Sequence, residues 1–222
     1  MTPAASLPPA AGVLGSGQVG KTLAAGLAAK GIPATLGTSR AGDPELAAWA
    51  QEAGVRLGSF AEAASAGDMV FLAVRGASDA LHGVIDAAGP GAFNGKIVVD
   101  ATNPLVFGDT MPPGLEVGHT ESAGEHLQQR LPGARVVKAF NTVGNTLMVD
   151  PDLPGGPPDM LIAGNDADAK AEVTAVLAAF GWPAIDVGGI ERSRELESLC
   201  VLWVAIGLQR GSWDHAFKVL AR

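Results

Sequence analysis

The 222-residue chain has no tyrosine, one cysteine (Cys200), four histidines, and 15 lysines and arginines against 23 aspartates and glutamates. Each shortage closes a class of function. Without tyrosine, the Tyr–Lys proton donor of short-chain dehydrogenases is excluded. A single cysteine forms no internal disulfide and no thiolate metal cage, and it fits a reducing compartment. The net charge of −8 argues against a general nucleic-acid binder, which needs a basic surface to displace counterions. It still permits a small anionic ligand held by a few cations and helix N-termini. Long apolar runs are also missing. The longest, 199–208, is about half of the roughly 20 residues that a membrane helix needs. The first ten residues are rich in alanine and proline, with no lysine or arginine. They lack the basic and apolar regions of a signal peptide and are expected to form a mobile tail. The expectation is a cytoplasmic protein without membrane contact.

Glycine, by contrast, is abundant, at 30 residues. Short apolar runs alternate with stretches of helical periodicity. Strands are expected at 11–14, 34–37, 55–57, 69–74, 96–100, 135–140, 159–163 and 184–187. Helices are expected at 19–30, 44–53, 60–66, 78–88, 123–131, 166–180 and 193–208, with Asp166 at or near the start of its helix. This pattern predicts an α/β fold: a Rossmann-type, doubly wound and mostly parallel sheet with a C-terminal helical extension. One domain is expected over 11–222, its C-terminal helices starting at about 190. A loop rich in glycine and proline covers 107–118.

The first expected strand runs into Gly15-Ser16-Gly17-Gln18-Val19-Gly20, and a helix follows. A GxGxxG pattern alone is weak, but the strand–turn–helix setting gives it meaning. Gly15 permits the tight turn, Gly17 lets a pyrophosphate approach the backbone, and Gly20 lets helix and strand pack closely. The free N–H groups and the dipole at the helix start favour a diphosphate. The second strand ends in Gly37-Thr38-Ser39-Arg40. NAD-preferring proteins commonly place a carboxylate there to bind the ribose 2′-hydroxyl. Two hydroxyls and a guanidinium suit a 2′-phosphate instead, so NADP(H) is the expected cofactor. Asp43, the nearest acid, is expected to start the next helix.

Five segments carry a resemblance: 13–20, 37–40, Asp100-Ala101-Thr102-Asn103-Pro104, Glu121-Ser122-Ala123-Gly124-Glu125 and Val136-Val137-Lys138-Ala139-Phe140-Asn141-Thr142. In these the chain resembles the NADP oxidoreductase family that includes the coenzyme F420-dependent NADP reductases. The cytosolic domain of the six-transmembrane metalloreductases looks similar. The resemblance implies that residues 16–19 touch the diphosphate and that Ser39 and Arg40 touch the 2′-phosphate. It implies that Ala73 and Val74 flank the adenosine half, and that Asn103 and Asn141 lie near the nicotinamide. In the deazaflavin reductases the positions of Asn141 and Gly144 carry His and Pro, so this chain departs toward the metalloreductase version.

No catalytic acid or base is assigned. His82 and His126 fall inside expected helices. His119, after the glycine–proline loop, is left open between the cofactor and the surface, and His215 is unplaced. Arg75 is left open between an adenosine contact and a solvated side chain. No residues show metal-ligand spacing, and Glu121 and Glu125 are expected to serve a helix start. Cys200 is expected to be a buried structural thiol. The shortage of acid–base groups favours hydride transfer to a planar acceptor, a flavin or deazaflavin or another small redox molecule. A non-catalytic NADP(H) sensor and a reductase of small imines or carbonyls are the alternatives. The last helix carries Leu196, Leu199, Trp203, Ile206 and Leu208, an apolar surface that either completes the core or makes a dimer contact, and the resemblance favours a homodimer.

Overall fold

The computed structural model describes residues 6–76, 78–109 and 111–221. In chain order the elements are β1 (Ala11–Leu14), α1 (Gln18–Ala29), β2 (Ala34–Gly37), α2 (Pro44–Ala53), β3 (Arg56–Gly58), α3 (Phe60–Ala66), β4 (Met69–Leu72) and α4 (Ser78–Ala88). Then come β5 (Ile97–Asp100), β6 (Leu105–Val106), β7 (Gly114–Leu115), α5 (Ala123–Arg130) and β8 (Arg135–Lys138). The chain continues with β9 (Met160–Gly164), α6 (Ala167–Ala179), β10 (Ala184–Asp186) and α7 (Ser193–Arg210).

Eight strands form one sheet in the order β10-β9-β8-β5-β4-β1-β2-β3. Its pairs are parallel except β8 with β9. Strands β1, β2, β4 and β5 are buried at every position. That is why they read as unbroken apolar runs: helices cover both faces of a parallel sheet. One core layer joins Leu23, Leu27, Val137, Phe140 and Phe180. The layer on the opposite face joins Leu81, Ile85, Phe93 and Leu127. From β1 the chain moves outward to β2 and β3, then returns to β4 on the other side. The reversal opens a crevice at the carboxyl ends of β1 and β4, where ligands of doubly wound sheets bind.

Helix starts follow local chemistry. The Asp43 side chain accepts from the Glu45 and Leu46 amides at α2, and Ser59 and Glu62 form a reciprocal cap at α3. Asp166 accepts from the Ala169 amide at α6, as expected. Helix α1 differs. Its N-cap is Gly17, which offers no side-chain cap, and its first turn has no acid. Its first N–H groups therefore face the crevice without a side-chain partner.

Two features, a short ribbon and a fold-back after α7, differ from the sequence reading. β6, just before the expected loop 107–118, pairs with β7 inside it as a short antiparallel ribbon. The C-terminal extension holds a short 3-10 helix, Ile190–Arg192, followed by the long helix α7. Gly211, in the left-handed region (φ 62°), ends α7. The segment that follows folds back, with Trp213 against Trp203 at 5.3 Å and His215 stacked on Trp203 at 4.9 Å. Its Phe217 carbonyl accepts from the Asp159 amide. The expected mobile tail lies outside the described residues over 1–5, and within 6–10 Pro8 is buried.

Candidate functional site

The crevice is built on the turn after β1. Gly15 has φ 122°, and a Cβ there would lie 2.4 Å from the Ala73 carbonyl oxygen. A Cβ on Gly20 would lie 1.8 Å from the Gly15 carbonyl oxygen. Both positions exclude a side chain for internal reasons. A Cβ on Gly17 would meet nothing within 4 Å. Its bare backbone faces open space, as close approach of a diphosphate requires. Gly15, Ser16, Gly17, Gln18 and Val19 line a cleft of about 450 Å³, together with Ala73 and Val74 just after β4.

At the end of β2, two of the expected residues, Thr38 and Arg40, meet Ser16. Ser16 Oγ and Thr38 Oγ1 are 2.8 Å apart, and the Arg40 amide donates to Thr38 Oγ1 at 3.1 Å. Thr38 is buried, so its hydroxyl organises the turn. Ser39 and Arg40 are left exposed beside it. The Arg40 guanidinium makes two long contacts of 3.4 Å, from Nη2 to Ser16 Oγ and from Nη1 to Asp43 Oδ2. Asp43 does start α2, as expected, and spends its other oxygen there.

A second stretch of cleft, about 500 Å³, shares Val74, Arg75, Ala80 and Ala101 with the first and extends to Asn103, Leu105 and Phe107. The structure brings Asn103 and Asn141 together across the ends of β5 and β8. Asn103 Nδ2 donates to the Asn141 carbonyl at 2.7 Å, and Asn141 Nδ2 donates to Asn103 Oδ1 at 3.0 Å. Asn141 Nδ2 also donates to the Leu196 carbonyl on α7 at 2.8 Å. Asn141 is buried, and its Oδ1 has no hydrogen-bond partner. Arg75 is exposed and lines both stretches of cleft.

None of the four histidines lines these two stretches. His119 lines a separate hollow with Leu115, Ser198 and Val201. His126 pairs with Glu121 at 2.6 Å, and His215 packs on Trp203. Ser122 caps α5, while Glu125 forms a bidentate pair with Arg194 at 2.8 and 2.5 Å. Hydrogen bonds from Arg194 hold the Glu125 carboxyl below its usual range, against partial burial. Among the described residues, no group of three or more His, Cys, Asp or Glu is placed to hold a metal. No described helix is long and apolar enough to cross a membrane.

Sequence reasoning missed the charged cluster beneath the asparagines. Lys138 Nζ lies 2.9 Å from Asp100 Oδ2 and 2.8 Å from Glu197 Oε1, with all three side chains buried. Asp100 Oδ1 accepts from the Thr102 amide and hydroxyl at 2.9 and 2.7 Å. Glu197 accepts from the Ala123 and Gly124 amides at the start of α5, at 3.1 and 3.0 Å. Burial pushes the Lys138 pKa down, but the two carboxylates outweigh it and hold the value above that of a free lysine. The signal was present: each charge interrupts an apolar stretch, in Ile97-Val98-Val99-Asp100, in Val136-Val137-Lys138 and on the inward face of α7.

Residues 10–104 match the family model described as NADP oxidoreductase, coenzyme F420-dependent. A crystal structure from Arthrobacter sp. FB24, provisionally named an F420-dependent NADP reductase, is 39% identical with a TM-score of 0.88. That similarity covers 96% of this chain and 100% of the other. The metalloreductase STEAP3 of Rattus norvegicus is 30% identical over 196 residues, which is 86% of this chain but 36% of the metalloreductase. The F420-dependent NADP reductase of Methanocaldococcus jannaschii is 35% identical over 130 residues, 57% of each chain. The chain thus matches about a third of the first of these curated relatives and somewhat over half of the second.

Proposed function

Because the chain belongs to the coenzyme F420-dependent NADP oxidoreductase family, we propose that it is an NADPH-dependent reductase that exchanges hydride with a planar acceptor of the flavin or deazaflavin type. The observation that carries this reading is the continuous cleft from the glycine turn to Asn103. The turn with the open Gly17 backbone fits a diphosphate, and Ser39 with Arg40 fits a 2′-phosphate. Gly15, Ser16, Gln18, Val19 and Gly20 shape that turn, Thr38 braces it, and Ala73 and Val74 flank the adenosine half. Asn103 and Asn141 then stand at the nicotinamide end. NADPH supplies a hydride from its nicotinamide ring.

Around Asn103 the cleft offers Leu105 and Phe107, the latter 65% exposed. Among the described residues its lining includes no histidine, lysine or cysteine, and its one carboxylate, Asp79, is exposed. A planar ring spreads the incoming charge and takes its proton from solvent, so it needs a stacking surface more than a positioned acid. A carbonyl or imine would need the acid. The protein's part is to bind, orient and stack.

The proposal includes a cytoplasmic homodimer through α7, on which Leu202 and Leu208 are 51% and 41% exposed. Light scattering should give twice the 22.4 kDa chain mass, and a concentration-independent monomer would refute it. To test the activity, purified protein is mixed with NADPH and, separately, FMN, FAD, a deazaflavin or a ferric chelate. Loss of nicotinamide absorbance is followed. Turnover with a flavin or deazaflavin is expected. Tight NADPH binding without turnover on any acceptor would select the sensor instead.

A further inference from the structure

The buried cluster Asp100–Lys138–Glu197 has no place in the hydride chemistry above. Its position relates it to that chemistry. Asp100 ends β5 and Lys138 ends β8, and three residues beyond each stands one of the paired asparagines, Asn103 and Asn141. Glu197 directly follows Leu196, whose carbonyl accepts from Asn141 Nδ2. Every member of the charged cluster is thus within three residues of a member of the amide network.

We propose that Lys138 and Glu197 are positioning residues for the nicotinamide end of the site: their pairing fixes α7 at the depth where the Leu196 carbonyl meets Asn141, and so sets the Asn103–Asn141 amide pair.

Stability alone does not call for this arrangement. A buried ionic cluster is commonly no more stable than apolar residues of the same volume. Directional bonds add a fixed distance. Glu197 is held at once by Lys138 on the sheet and by two amides at the start of α5. Translation of α7 would break these contacts together. The Asn141 amide would then lose one of its two acceptors, while its Oδ1, already without a partner, offers no compensating bond. A side chain at a reacting centre keeps its orientation only when its supporting contacts are themselves fixed.

This inference rests on the reading that the nicotinamide lies at Asn103, so the test separates the two. NADPH and adenosine 2′,5′-bisphosphate, which lacks the nicotinamide half, are titrated into wild type, Glu197→Gln, Lys138→Met and Asn103→Ala. The full chain is used, and nicotinamide emission is recorded alongside affinity. In Glu197→Gln and Lys138→Met the bisphosphate should bind within about twofold of wild type, while NADPH weakens by about fivefold or more and its emission changes. If a charge variant is recovered only unfolded, the triple variant D100N/K138M/E197Q replaces it. That variant leaves no buried charge uncompensated, and the same affinity ratio decides. Folded variants with wild-type ratio and emission, or with equal loss of both ligands, overturn the positioning role. A wild-type ratio in Asn103→Ala overturns the placement of the nicotinamide, and this inference with it.

Discussion

Lys138 and Glu197 lie 59 positions apart in sequence, yet Nζ and Oε1 meet at 2.8 Å with neither side chain exposed by more than 1%. Removing the lysine leaves two buried carboxylates facing each other. Lys138→Met should therefore cost about 3–5 kcal/mol in denaturant unfolding. The wild type should also show an alkaline dependence. The Lys138 pKa is raised in the folded state, so its stabilisation is complete below the unfolded value of about 10.4. It is lost as pH rises through the higher folded value. Unfolding measured across that range should show this loss in wild type, and the same loss in Lys138→Met would contradict the assignment.

The three glycines of the turn should separate fold from ligand. Gly20→Ala forces a Cβ to 1.8 Å from a backbone oxygen that has no room to move. We expect about 3 kcal/mol of destabilisation or more. Gly17→Ala meets nothing, and as a change at the helix cap it should cost no more than about 1 kcal/mol. Yet it should weaken NADPH by about tenfold or more, since a methyl would stand where the diphosphate approaches. Calorimetry for stability and a fluorescence titration for binding check the pair. Wild-type NADPH affinity in Gly17→Ala would count against the proposed diphosphate contact.

Periodicity made the strands and helices legible, because β1, β2, β4 and β5 are buried on both faces and helices such as α1 and α4 repeat apolar residues at helical spacing. The glycine turn and the Ser39-Arg40 strand end were legible because local backbone geometry dictates them. The ribbon of β6 and β7 was not, since two residues per strand carry no period. The reversed pairing of β8 with β9 leaves no mark in either strand's composition. The fold-back after Gly211 depends on tertiary contacts of Trp203 with Trp213 and His215. The charged cluster joins residues from β5, β8 and α7, and only the folded topology assembles them, although each was visible as a charge out of place.

Cys200 should be inert in the folded protein. It is 4% exposed, and burial pushes its thiol up to about 12, with Glu197 adding to the rise and Lys138 opposing it. The thiolate is the reactive form. Iodoacetamide at pH 8 should leave Cys200 unmodified in the native state and alkylate it in urea, as read by intact mass. Fast native alkylation would mean that α7 opens readily, which the contacts of Glu197 argue against.

Arg40 provides the sharpest test of cofactor choice. Its guanidinium touches Ser16 and Asp43 only at 3.4 Å, too long for strong bonds, and its side chain is 57% exposed. It is free to turn toward a phosphate, and Ser39 stands beside it. Arg40→Glu replaces two charge-assisted bonds with a repulsion. NADPH affinity should fall by about a hundredfold. NADH, which lacks the 2′-phosphate, should bind the variant no worse than it binds wild type. Asp43→Asn gives the converse: its amide oxygen still caps α2, but the charge that competes for Arg40 is gone, so NADPH should bind slightly more tightly. Parallel titrations of both nucleotides check all three statements. An Arg40→Glu variant that binds NADPH as wild type does would remove the 2′-phosphate from this strand end, and the preference for NADP(H) over NAD(H) would then need another source.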